Sequence, residues 1–230
     1  MSLLDVLHQS VRPDSLETYE EKIRQLAERA VSRKESFHWS TFQTAIGELG
    51  NYYYVAPAES WAVIKQRGNA QELVLRLLGE KDGRRWLQET SACLLSATQT
   101  ILVDRPELSY TQDEAIRAPF GVVTAVRVRS GEQEAFEEFV RKIAEGIPKV
   151  NDRWRITTRQ TVVGNLREYR LLSPLEDLAQ LDTLLPADVL LTQAFGQAEG
   201  GLLYRAGIAA VEHAERRIVA LRPDLSNPAS

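Results

Sequence analysis

One cysteine, one methionine and three histidines are all that the 230 residues hold of those types. The lone thiol, Cys93, excludes an intramolecular disulfide and a cysteine-built zinc cluster. His8, His38 and His213 stand at no ligand spacing from one another, so no metal site is expected. A basic surplus is missing too. Lys and Arg number 28 against 32 Asp and Glu, a formal charge of −4 that speaks against generic nucleic-acid binding. The small cluster Arg153, Arg155 and Arg159 reads as a solvated strand face. No apolar run approaches the length of a membrane span. The opening Met-Ser-Leu-Leu-Asp-Val-Leu-His is too short and too acidic for a signal peptide, so a cytoplasmic location is expected. Phosphate loop, nucleophile elbow and dinucleotide fingerprint are likewise lacking. Gly79-x-x-x-Gly83 has neither the lysine nor the preceding strand of a phosphate loop and reads as a helix break. No cofactor is expected, and no residue is assigned as a catalyst.

What the chain does have is a repeat. Gln43-Thr-Ala-Ile-Gly47 returns as Gln160-Thr-Val-Val-Gly164, an offset of 117 residues. The same offset carries Tyr52 onto Tyr169, Pro57 onto Pro174, Gly79 onto Gly196 and Gly83 onto Gly200. It also carries Arg105-Pro-Glu-Leu-Ser109 onto Arg222-Pro-Asp-Leu-Ser226, with no gap between. The expected organisation is a first repeat over 1–109, a linker over 110–119 and a second repeat over 120–230. With 43% hydrophobic and 26% charged residues, there is ample material for an ordinary globular core.

Each repeat predicts strand, helix, strand, strand, helix, helix. Residues 3–12 give the first strand; Val122, Thr124, Val126 and Val128 alternate more clearly in its twin. Leu16, Tyr19, Ile23, Leu26, Ala27 and Ala30 then form a helical stripe, matched by Phe136, Val140, Ile143, Ala144 and Ile147. Phe37–Ile46 and Trp154–Val163 read as second strands, and Tyr52–Ala56 and Tyr169–Ser173 as third strands. Short helices start near Glu59 and Glu176. Longer ones cover Gln71–Leu78 and Arg84–Leu102, and Asp188–Phe195 and Gly201–Ala220. A sheet of three or four strands with helices on one face leaves its other face apolar, and two such sheets can cover each other.

This doubled order resembles the dimeric α/β-barrel superfamily of ferredoxin-like units. The stretch from Trp39 to Tyr52, an aromatic strand and then Glu59-Ser-Trp-Ala62 looks most like its NIPSNAP branch. The resemblance implies an α+β fold: two tandem ferredoxin-like repeats packed sheet to sheet as a pseudo-twofold α/β barrel, with extra helices in each repeat. The superfamily it implies includes cofactor-independent monooxygenases, small-molecule isomerases, haem-handling enzymes and proteins without known catalysis.

Two functions are therefore expected, and they differ in kind. The first is small-molecule binding, extending to cofactor-independent catalysis, at a sheet face. Its candidate residues are His38, Trp39, Tyr52 and Tyr54 in the more aromatic first half, with Thr41 and Gln43 and their twins Thr158 and Gln160. A strand histidine can exchange protons near neutral pH, or it can simply be hydrogen-bonded or face solvent. The paired Thr and Gln side chains can line a pocket or satisfy neighbouring backbone. The second function is a non-catalytic assembly module, a homo-oligomer through helical faces. It is suggested by the small-residue run Ala206-Gly-Ile-Ala-Ala210.

Overall fold

The computed structural model describes residues 2–111 and 118–228. Most of the expected linker, 112–117 with Asp113, lies outside the described residues. The first half contains β1 (Leu3–Val11), α1 (Leu16–Ser32), β2 (Ser40–Ile46), β3 (Asn51–Ala58), α2 (Trp61–Arg67), α3 (Ala70–Leu78), α4 (Glu80–Ala92) and β4 (Leu94–Asp104). The second contains β5 (Phe120–Val128), α5 (Gln133–Lys149), β6 (Thr157–Val163), β7 (Glu168–Leu175), α6 (Ala187–Phe195), α7 (Gln197–Ala210) and β8 (Val211–Leu221). A 3-10 helix at Leu178–Asp182 stands where the first half has α2. Each of these elements starts 117 residues after its counterpart. The ladders agree as well: Leu3 faces Ala58 as Phe120 faces Leu175, and Ser40 faces Val55 as Thr157 faces Leu172.

The eight strands form a closed antiparallel barrel in the order β1-β3-β2-β8-β5-β7-β6-β4, with helices flanking them in an α+β fold. Two expectations are corrected here. The helices expected over Arg84–Leu102 and Gly201–Ala220 stop at Ala92 and Ala210, and their remainders are the fourth strands β4 and β8. The second strands start at Ser40 and Thr157, later than Phe37 and Trp154. The reason for the first is local. No Gly or Pro separates α4 from β4, where Cys93 makes the turn in a helical conformation. Leu95–Gln99 are all exposed, so no buried face imposes a period of two on them.

The chain divides into two compact units, Met1–Leu102 with Ala220–Ser230, and Val103–Val219. Each is finished by an Arg-Pro arm. In the first unit Trp39 and Asn227 exchange backbone hydrogen bonds of 2.9 and 3.0 Å, and Arg222 N donates to Thr41 O at 2.8 Å. In the second unit Tyr110 pairs with Ile156, and Arg105 N donates to Thr158 O at 2.9 Å. Thus the arm that completes the first unit comes from the end of the second repeat, and the arm of the second unit from the end of the first.

Between α3 and α4, Gly79 takes φ +83°, a left-handed conformation open to glycine. Its twin Gly196, between α6 and α7, takes φ +87°, and there the chain folds back so tightly that a Cβ on Gly200 would lie 2.4 Å from Leu191 O. In the first unit's core Leu26, Ala27 and Ala30 of α1 pack with Leu73, Val74 and Leu77 of α3, while Tyr19 and Ile23 pack with Val11, Tyr52, Cys93 and Leu225. The second packs Phe136, Phe139, Val140 and Ile147 of α5 on Leu190, Leu191 and Ala210.

Candidate active or binding site of the first unit

Alternation along β1 puts Asp5, Leu7 and Gln9 on one face. Their ladder partners Ala56, Tyr54 and Tyr52 share it, and β2 adds Thr41 beside Tyr54 and Gln43 beside Tyr52. Between this face and α1, α3 and α4 lies a cavity of about 170 Å³. Its wall is mainly apolar: Ile23, Leu26, Leu73, Val74 and the rings of Phe37, Trp39 and Trp86. Among the lining polar groups are Asp5, Gln9, Tyr54, Thr90 and Gln99.

All but one of these polar groups are held in a definite way. Trp39 is 4% exposed, and its indole donates to Leu225 O at 2.9 Å, so the C-terminal arm fixes that wall. Tyr19, from α1, donates to Gln9 Oε1 and lies 2.5 Å from the Tyr54 hydroxyl. Burial pushes both phenols well above their usual pKa, so both stay protonated at any physiological pH. Asp5 is clamped on both oxygens: Arg67 reaches Oδ2 at 2.8 Å and Gln99 reaches Oδ1 at 2.9 Å. The Arg67 guanidinium also lies over the Phe37 ring, 4.9 Å from its centroid. Thr90 differs from all of these. It is 4% exposed, and its hydroxyl has no hydrogen-bond partner among the described residues.

A second polar constellation flanks the cavity. Arg222 grips Glu20 with both terminal nitrogens, at 2.7 and 2.8 Å, and donates to Gln43 Oε1 at 2.6 Å. Tyr52 donates to Glu20 at 2.6 Å, and Gln43 donates to the Tyr52 oxygen at 3.0 Å. The Arg222 hydrogen bonds hold the Glu20 carboxyl below the usual glutamate range. Burial, then the Glu20 carboxylate, raise the Tyr52 phenol. The second unit repeats this pattern residue for residue: Arg105 on Glu137 and Gln160, with Tyr169 donating to Glu137 at 2.6 Å. Glu137 is likewise held low, by Arg105 first. Thr41 and Thr158 donate to the carbonyls of Leu225 and Leu108, at 2.6 and 2.7 Å.

Of the eight residues singled out in the sequence, Trp39 and Tyr54 line the cavity. Thr41, Gln43 and Tyr52 join the arm latch beside it, and Thr158 and Gln160 join the equivalent latch of the second unit. His38 is exposed in the segment ahead of β2. Sequence reasoning passed over Asp5, Gln9 and Thr90, and read Trp86, opposite Leu203 in the twin, as hydrophobic packing. A signal for them existed in the repeat: their twins are Val122, Val126, Gly207 and Leu203, so a polar or larger residue stands in the first half alone. The small-residue run around Gly207 serves packing inside its own unit. A Cβ there would lie 2.1 Å from the Phe139 ring.

No protein-family model and no curated protein matches the sequence. Solved structures do match the fold. An anthrone oxidase-like protein superposes with a TM-score of 0.62 at 14% identity, covering 99% of this chain and 94% of its own. A proposed monooxygenase from Lactobacillus acidophilus NCFM gives 0.55 at 8% identity, covering 100% and 98%. A chlorite dismutase mutant from Candidatus Nitrospira defluvii gives 0.55 at 10%, covering 96% and 92%. At these identities the likeness is one of fold: the chain has a fold related to the ferredoxin-like dimeric α/β-barrel superfamily.

Proposed function

We propose that this protein binds a small, largely apolar molecule in the cavity of its first unit. The observation that carries the reading is Thr90, a buried hydroxyl without a partner on the wall of an apolar cavity. An orphaned polar group of this kind costs roughly 1–3 kcal/mol, a cost that a ligand supplying the missing hydrogen bond would offset. The cavity's size suits the reading. An engineered apolar cavity of about 150 Å³ takes up one benzene, so about 170 Å³ suits a molecule of a single ring. Trp39 and Tyr54 are the contacts anticipated from sequence, and Asp5, Gln9, Trp86 and Thr90 join them. Oxidation and monooxygenation belong to the names of proteins that share the fold, and such chemistry is a proposal for this chain too. The narrower resemblance to the NIPSNAP branch rests on the Trp39–Tyr52 stretch, the aromatic strand after it and Glu59-Ser-Trp-Ala62.

The second unit supplies the test. There the positions equivalent to Lys22 and Thr90 carry Phe139 and Gly207, and the Phe139 ring fills the space against Gly207. The double substitution Lys22→Phe with Thr90→Gly should fill the first cavity in the same way. Native mass spectrometry of the purified protein, followed by titration with single-ring probes, is expected to show binding by the natural chain and none by the filled variant. Equal behaviour of the two would end the proposal.

Self-association through helical faces is the second reading, favoured by Leu202 and Ile208, which α7 leaves 61% and 49% exposed. Light scattering across micromolar concentrations decides it, and a monomer throughout would remove it. No helix of the described residues is long and apolar enough to cross a membrane.

A further inference from the structure

The cavity's polar inventory limits what it can hold. Building on the small-molecule reading above, we infer that the ligand is a neutral single-ring molecule carrying a hydroxyl group, and that Thr90 is the partner of that hydroxyl.

Charge is the first constraint. Among the described residues Asp5 is the one carboxylate on the cavity wall, and Arg67 neutralises it at 2.8 Å while both side chains are about nine-tenths buried. Tyr54 stays protonated because burial raises its pKa. The wall therefore carries no net charge to meet an ionic ligand, and an ion brought here would lose its hydration without a counter-ion.

Hydrogen-bonding capacity is the second constraint. Tyr19 spends its proton on Gln9 Oε1, so within the Tyr19–Tyr54 pair the donor is Tyr54. Tyr54 thus keeps an acceptor lone pair, and the Thr90 hydroxyl keeps both its donor and its acceptor capacity. A helical threonine can donate back to the carbonyl one turn earlier, and no such bond satisfies Thr90. A ligand hydroxyl, which both donates and accepts, is complementary to this pair of residues. A hydrocarbon of equal size would leave Thr90 orphaned, and sites built around a ligand hydroxyl discriminate strongly against the analogue lacking it.

The test uses the full chain with phenol, benzene and benzoate as probes, titrated by calorimetry. Thr90→Val keeps the shape and removes the hydroxyl. Because the hydroxyl it removes is unpartnered, its melting temperature should equal or exceed that of the natural chain. Phenol is expected to bind about tenfold tighter than benzene, the size of one net hydrogen bond, and benzoate weakest of the three. In Thr90→Val, phenol should fall to the level of benzene while benzene is unchanged. Equal affinity for phenol and benzene in the natural chain, tightest binding by benzoate, or an unchanged phenol affinity in Thr90→Val would each overturn this inference and leave the cavity reading standing. Failure of all three probes to distinguish the natural chain from the filled Lys22→Phe, Thr90→Gly variant would overturn the cavity reading itself.

Discussion

The two units share a backbone plan and one latch, yet they use the space between sheet and helices in opposite ways. In the second unit Phe139 packs edge-on against Tyr204, 6.3 Å between centroids, and the strand positions beneath carry Val122, Val126 and Leu171. In the first, Phe139 is replaced by Lys22, which turns to Glu89 at the surface, and Val122, Val126 and Leu171 by Asp5, Gln9 and Tyr54. Conversely, what both halves keep (Arg, Glu, Gln, Tyr and Thr of the latch) holds the fold together. Sameness between the repeats marks structure here, and difference marks the cavity.

The comparison can be broken most sharply at Phe139. Phe139→Ala should cost about 3–5 kcal/mol in urea denaturation, through lost burial and a new void. Lys22→Ala should stay within about 1 kcal/mol, as expected of a surface ion pair. Similar losses at the two positions would mean that the halves are packed alike. Gly207 comes next. Gly207→Ala pushes a methyl into the Phe139 ring and should destabilise by about 1–3 kcal/mol, whereas Thr90→Ala, facing open space, should stay under about 1 kcal/mol.

The latches sharpen the comparison differently. Arg222→Ala and Arg105→Ala should each lose about 1–2 kcal/mol, since each breaks a bidentate, partly exposed carboxylate pair. Only Arg222→Ala should also weaken ligand binding, because the same arm anchors Trp39; calorimetry on both variants separates the two effects. The smallest effect is in acid. Glu20 and Glu137 titrate below the ordinary 4.5 in the folded protein, each held down chiefly by its arginine. Their stabilisation is therefore complete above about pH 4.5 and is lost as pH falls through the lower folded values. Thermal melts from pH 6 to pH 3 should show that loss, shallower by about 1 kcal/mol in the Glu20→Gln, Glu137→Gln variant.

Much of the fold was legible because insertions are absent: a fixed offset transfers each strand register from one half to the other. The fourth strands were not legible. Val211-Glu-His-Ala-Glu-Arg-Arg217 is made of helix formers as much as strand formers, and its exposed start gives burial no period to impose. The lining of the cavity was half legible. Aromatic character in the first half pointed to Trp39 and Tyr54. His38 drew attention by its chemistry, but position on the chain does not say which residues a loop leaves outside a ladder. Asp5 and Thr90 looked ordinary alone, one a charge on a weak strand and the other a helical threonine. They stand out only against Val122 and Gly207.

The exchanged arms bear on how the protein is made. During synthesis the second unit has its arm, Arg105–Tyr110, in hand before the rest of that unit emerges, and it can close as soon as its own strands and helices are complete. The first unit cannot. Its helices and β1–β3 leave the ribosome early, but Trp39 has no anchor until Leu225 and Asn227 are translated. A nascent chain cut short between Val219 and Arg222 would therefore carry a finished second unit and a first unit whose cavity wall still lacks the anchor of Trp39.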